Sequence, residues 1–342
     1  MATPAKSRRF RYIATASAGL ALSCPLGTPP TIADIVVEFP GTTAANPPLL
    51  LYSGREGANC PEFEPHVANP TVTLDDVSFD ITCPVEMDAF APGLGAFARS
   101  LDPTVPGDVE WLETAIESGS LAISLPELTS VPLRLWIVAS TATDIATAKG
   151  MRDRLLDKAY PILETMGTGL TLDTASSPLI PSVIDPNCDK AGIISTNPLI
   201  YDATRINVYF VRNYRNLPDL TPAQNCWLKT HPEIVFISWG NSNVVDPTLA
   251  HELGHALGLV HPNADGGHTY LVPGFDAFNL MATNTDVTNA SIGQLYALNF
   301  SSGSWLNRTG SLFVKPVVRD CQDSWGTGVC PALTSFEPGW PP

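Results

Sequence analysis

The period of the apolar positions changes along the chain, and each change predicts an element. Between 34 and about 85 the period is two. Ile35, Val37 and Phe39 alternate with other residues, and the apolar runs 49–52 and 72–74 follow, separated by Pro, Gly and Asn. This predicts short strands in a small β-domain or a pro-segment. From 86 to 130 the pattern lapses into a Pro- and Gly-rich stretch with one short helical candidate at 111–117, read as a connection. Residues 133–138 form the next strand candidate. Ile145, Ala148, Met151, Leu155, Ala159, Ile162 and Met166 then recur every three or four residues, which is one apolar face of a helix. Thr141 and Asp144 stand at its start in capping-box spacing, and Pro161 predicts a kink or an early end. A strand over 206–211 carries Ile206, Val208 and Phe210 on one face, and 234–239 is a third, almost wholly apolar strand. A second helix is predicted from Asp246 as N-cap and Pro247 at the first helical position. Its Leu249, Leu253 and Leu257 point to the core. Strands with a long helix between them indicate an α/β or α+β layered fold.

Composition supports a folded chain. Of 342 residues 44% are hydrophobic and 15% charged, enough for one large domain or two ordinary ones. The net charge of −15 repels phosphates, so no nucleic-acid partner is expected. Positive charge gathers at the start. Lys6, Arg8, Arg9 and Arg11 precede the uncharged stretch 12–23, with no acidic residue before Asp34. This pattern reads as an export signal over 1–23, and it places the mature protein outside the cell or in its envelope. No other stretch approaches the ~20 apolar residues of a membrane span. Residues 20–24 resemble a lipobox, although Ala21 stands where leucine is usual. Lipidation at Cys24 and plain signal cleavage nearby both stay open. Of seven cysteines, setting Cys24 aside leaves an even six. They fall into local couples, Cys60 with Cys83, Cys188 with Cys226 and Cys321 with Cys330. Free buried thiols are the alternative.

The chemistry lies in His251-Glu252-Leu253-Gly254-His255-Ala256-Leu257-Gly258-Leu259-Val260-His261. On a helix, His251 and His255 share one face a turn apart. Both imidazoles can then reach one zinc at about 2.0–2.1 Å. Glu252 is rotated off that line, where it can hydrogen-bond a water without ligating. Gly258 lets the backbone leave the helix through a left-handed conformation, so that the chain turns back and presents His261. Three neutral nitrogen ligands leave a position for water, the mark of a catalytic rather than a structural zinc. The first five residues alone could be two surface histidines. The eleven-residue pattern arises by chance on the order of once in 10⁵ chains of this length, which decides against scatter.

This pattern resembles the metzincin zinc peptidases, whose signature HExxHxxGxxH is followed by a methionine-containing turn. Asn279-Leu280-Met281-Ala282 resembles that turn. The resemblance implies that Met281 packs under the three histidines without binding metal, whereas alone it reads as a core methionine. It covers roughly residues 130 to 310, with motif strength over 246–283, and 292–298 matches the family's C-terminal helix. It implies an α+β catalytic domain over 131–315, with a twisted mixed sheet, a long backing helix and an active-site helix. A β-rich region and connection over 24–130 precede it, and a tail over 316–342 follows with a local disulfide. It also implies that strand 234–239 edges the cleft and pairs with an extended substrate, the alternative being a buried central strand. One catalytic Zn2+, a protein or peptide substrate and a monomer are expected, with Glu252 as general base and acid. Pro262 follows the third histidine as in serralysins, but their Gly-rich calcium repeats are absent. Thr283 stands where astacins and serralysins carry a tyrosine ligand. The chain therefore resembles an unclassified bacterial branch.

Other residues leave two readings open. His268 is a further ligand or, more commonly, a loop histidine. Asp265 and Asp276 are plain loop carboxylates or ligands of a structural Ca2+. Cys60 and Cys83 lack the switch sequence of a latent pro-segment, which favours a disulfide. Asn289, Asn299 and Asn307 open N-x-[ST] sequons, relevant only in a eukaryotic secretory route. Two other functions compete. One is a catalytically inactive metzincin-fold binding or adhesion module of the cell envelope, against which Glu252 argues. The other is a structural zinc site, for which only His268 could add a ligand nearby.

Overall fold

The computed structural model describes residues 32–259 except 44–47, 54–63, 69, 79–84, 92, 103–104, 167, 173–178, 181–187, 197, 213–221 and 227–230, together with residues 280, 281 and 298. The first part is a two-sheet β-structure. It comprises β1 (Ile32–Glu38), β2 (Leu49–Ser53), β3 (Glu64–Val67), β4 (Thr71–Ser78), β5 (Val85–Phe90), β6 (Phe97–Leu101), helix α1 (Pro106–Ser118) and β7 (Ser120–Ala122). The sheet orders are β4-β1-β7 and β3-β2-β5-β6. Ile35, Val37 and Leu74 of the first and Leu50, Tyr52 and Met87 of the second share one core with Leu112 and Ile116 of α1. Leu49, one residue off that face, joins the second core instead, so β2 is apolar because both its faces are covered.

The stretch 86–130 is therefore not an irregular connection. It holds most of β5 and all of β6, α1 and β7. Its pattern misleads for two reasons. β5 alternates only from Val85 to Ala89 before Phe90 breaks the period, and Asp88, on its polar side, is as buried as Met87 and Ala89. α1 has Val105 at its N-cap position, without a side-chain cap bond.

The second part is a six-stranded mixed sheet. Its elements are β8 (Thr129–Val138), α2 (Ala142–Thr165), β9 (Thr168–Leu172), β10 (Leu179–Ile180), α3 (Lys190–Thr196), β11 (Ile206–Val211), β12 (Ala223–Cys226), β13 (His231–Ser238) and α4 (Thr248–Ala256). The order is β10-β8-β11-β13-β12, with β9 also beside β8. Every pairing is parallel except β12 with β13. One face packs on α2 and α4 through Leu133, Val208, Phe210 and Val235, against Leu155, Ile162 and Leu253. On the other face Trp136, Tyr209 and Phe236 stack at centroid distances of 6.1 and 5.3 Å. The described residues thus form an α+β protein with three sheets. None of its helices is long and apolar enough to cross a membrane.

Three expectations change. Pro161 does not end α2, which runs on to Thr165. Pro161 and Asp157 are both exposed, so the Asp157 carbonyl that loses its helical donor lies on the solvent side, while Ile162 and Leu163 are held in the core. Strand β13 is not a sheet edge. It lies between β11 and β12, and the four-residue β12 is outermost among the described strands. Asp246 does not cap α4. It sits 3.5 Å from Arg154 and 3.9 Å from Lys158 of α2, while Thr248 Oγ1 accepts the Val245 N–H at 3.0 Å. The Thr141 cap is present, with its hydroxyl accepting the Asp144 N–H at 3.1 Å. The 1–23 signal, Cys24, the 292–298 helix apart from buried Leu298, the sequons Asn289, Asn299 and Asn307, and the 316–342 tail lie outside the described residues.

Candidate functional site

The turn from β13 into α4 is fixed by the ends of the central strands. Trp239 N–H donates to Val211 O at 2.8 Å and Gly240 N–H to Arg212 O at 3.0 Å. α4 then buries Leu249, Ala250, Leu253 and Ala256 in the core. That leaves His251 and His255 together on a half-buried face, ring centroids 4.9 Å apart and planes nearly perpendicular. Each ring is held by a backbone carbonyl. His251 Nδ1 lies 2.7 Å from Leu280 O, and His255 Nδ1 lies 2.8 Å from Leu259 O. A carbonyl can only accept, so Nδ1–H donates in both. The neutral ring then carries its lone pair on Nε2. Metal-ligating histidines are held in this way, with the second nitrogen donating to a carbonyl.

Gly258 supplies the Leu259 carbonyl. Its φ is +95°, the left-handed exit expected from the sequence. Leu259 N–H bonds Gly254 O at 2.9 Å and Gly258 N–H bonds His255 O at 3.0 Å. These are the two bonds of a Schellman helix end. The same turn folds Leu259 O back onto His255, so Gly258 orients a second-position histidine besides redirecting the chain.

Met281 is fully buried and lies against α4. A Cβ placed on Gly254 would lie 2.6 Å from its Sδ and 3.3 Å from its Cε. The sulfur therefore rests on bare helix backbone between the two histidines in sequence, and the preceding Leu280 carbonyl holds His251. Gly254 leaves only a weak trace in the sequence pattern. The available signal was a glycine inside a helix, which favours a close approach to offset its cost.

Glu252 is 7% exposed. Burial pushes its carboxyl up to about 8, opposed by a hydrogen bond from the Asn225 backbone N–H. Asn225 is likewise a site neighbour that the sequence pattern did not mark. His261, Pro262, Asp265, His268, Asp276 and Thr283 lie outside the described residues. Among the described residues no group of three His, Cys, Asp or Glu side chains is assembled. The donor set that is described fits a divalent zinc: two imidazoles a turn apart, each with Nε2 as the basic nitrogen, beside a buried carboxyl group. Of the three cysteine couples, Cys188–Cys226 is a disulfide with Cα atoms 5.4 Å apart, and the other two lie outside the described residues. Compared with models of known families, with curated proteins and with solved structures, the chain matches none.

Proposed function

We propose that this chain is a zinc-dependent endopeptidase of the metzincin kind, with zinc held by His251, His255 and His261. The observation that carries the reading is the pair of carbonyl-fixed imidazole tautomers on α4, which leaves Nε2 as the basic nitrogen of both rings, as a metal-ligating histidine requires. Met281 against Gly254 and the mixed sheet backed by long α2 support the same reading. Zinc at such a site supplies Lewis acidity toward water and toward a substrate carbonyl. Glu252 takes the proton of the attacking water and delivers it to the leaving amine. Its low exposure keeps bulk water from competing for that proton. β12, as the outermost antiparallel strand, is the edge along which an extended peptide can add. An export signal over 1–23, with or without lipidation at Cys24, places this activity outside the cell or in its envelope, on a protein or peptide substrate. The chain acts as a monomer in this reading, and a Ca2+ at Asp265 and Asp276 is not needed for it.

The test is hydrolysis of casein and of a diverse peptide library by the purified chain. A chelator abolishes cleavage and added zinc restores it. Glu252→Gln keeps its zinc and loses about 10²–10⁴-fold in kcat. Equal cleavage by this variant sinks the mechanism. Bound zinc with no cleavage of any peptide favours a binding module.

A further inference from the structure

β12 is fastened at one end in a way that bears on Glu252. Ser238 N–H donates to Pro222 O at 2.9 Å, and ladder pairs alternate in an antiparallel sheet. Ala223 and Asn225, opposite Ile237 and Val235, therefore turn their N–H groups away from β13. Since β12 is outermost among the described strands, these groups point away from the described sheet. The Asn225 N–H meets the Glu252 carboxyl group.

The strand ends at that point. Its register shifts between Asn225 and Cys226, so the ladder alone does not hold the donor in place. Two other restraints do. The Asn225 side chain is buried and its Nδ2 donates to Pro232 O at 2.9 Å and Ile234 O at 3.3 Å. Cys226 is joined to Cys188, just ahead of α3. That segment is itself tied to β13, where Glu233 Oε1 accepts Lys190 Nζ at 2.8 Å and Tyr201 OH at 3.0 Å. Cys188 has φ +59°, the one positive value at a non-glycine among the described residues. A side chain in that region is strained and persists only where its surroundings demand it.

We infer that Asn225 and the Cys188–Cys226 disulfide position Glu252, by clamping the end of β12 so that one backbone N–H meets its carboxyl group. The clamp stops the carboxyl from turning away from the water it must deprotonate. The catalytic consequence rests on the function proposed above, while the clamp itself does not.

The test uses the full chain with its disulfides formed and zinc bound, beside Cys188→Ser/Cys226→Ser and Asn225→Ala. Hydrogen exchange at the Asn225 amide, zinc content, kcat and KM are measured. In the parent this amide exchanges slowly, and in both variants it exchanges at least about tenfold faster. Zinc content and KM stay level, and kcat falls about tenfold or more, as misplacement of a reacting group predicts. A merely structural disulfide would lower zinc content or folded fraction instead. Unchanged exchange, or faster exchange with unchanged kcat, overturns the inference. Asn225→Ala keeps the disulfide and decides the matter if the double variant does not fold. Should the parent cleave nothing, the functional reading fails, and the exchange data still accept or reject the clamp.

Discussion

A glycine inside a helix lowers its stability by about 1 kcal/mol relative to alanine, and α4 carries one at Gly254 between its two histidines. Met281 accounts for it, because a methyl group there would lie 2.6 Å from the sulfur. Two effects of Gly254→Ala oppose each other. Helix propensity gains about 1 kcal/mol, and overpacking a filled core costs about 1–3 kcal/mol. Met281 is fully buried and has little room to yield, so overpacking wins. Urea unfolding should show Gly254→Ala less stable by about 1 kcal/mol. In a Met281→Ala background the same substitution should be neutral or stabilising. A coupling of about 1 kcal/mol or more in this double-mutant cycle is the expected signature of contact. Additive effects would mean that the sulfur does not rest on Gly254.

Among the elements, α2 shows how a local signal becomes a stability term. The Thr141 hydroxyl accepts the Asp144 N–H at 3.1 Å, satisfying one of the donors a helix leaves open at its start. Thr141→Ala should cost about 1 kcal/mol, a Tm loss of about 2–4 °C, and Thr141→Ser should cost far less. Equal melting of parent and Thr141→Ala would remove the cap from the account. This cap, the apolar face of α2, and strands β11 and β13 were legible because each is written in neighbouring residues. The left-handed exit at Gly258 was legible for the same reason. β12 was not. Its sequence Ala-Gln-Asn-Cys has no apolar period, and it forms by pairing with a strand already covered on both faces. That β13 is central rather than an edge follows from this pairing, which no local pattern of 234–239 contains. The Leu280 and Leu259 carbonyls that fix the histidine tautomers are backbone atoms of ordinary leucines, and they too leave no trace in residue type.

At the scale of the whole molecule, the Lys190–Glu233 ion pair lies at the margin of the large sheet, and that pair sets a pH dependence. Burial raises the Glu233 carboxyl, but hydrogen bonds from Lys190, its own backbone and Tyr201 outweigh it and hold the group below its ordinary value. Burial lowers the Lys190 ammonium, and its bonds to Glu233 and Tyr201 outweigh that and hold it above its ordinary value. His231 Nδ1 stands 3.8 Å from the same Glu233 oxygen. The signs follow from linkage. A depressed carboxyl contributes stability above its unfolded pKa, about 4.3, and loses it as pH falls through the folded value. A raised ammonium contributes below its unfolded pKa, about 10.4, and loses it as pH rises through the folded value. The pair therefore stabilises fully between those limits. Glu233→Gln should lower the unfolding free energy by roughly 2 kcal/mol at pH 7, the range for a hydrogen bond to a charged group. The gap between parent and variant should close as pH falls below about 4. Because Lys190 follows Cys188 by two residues, the same acid range should loosen the segment that anchors β12, and the protection factor of the Asn225 amide, its exchange rate set against the intrinsic rate at each pH, should then be lower in parent than at neutral pH. A parent–variant gap that stays constant from pH 7 to pH 3 would show that Glu233 is not ionised and paired in the folded chain.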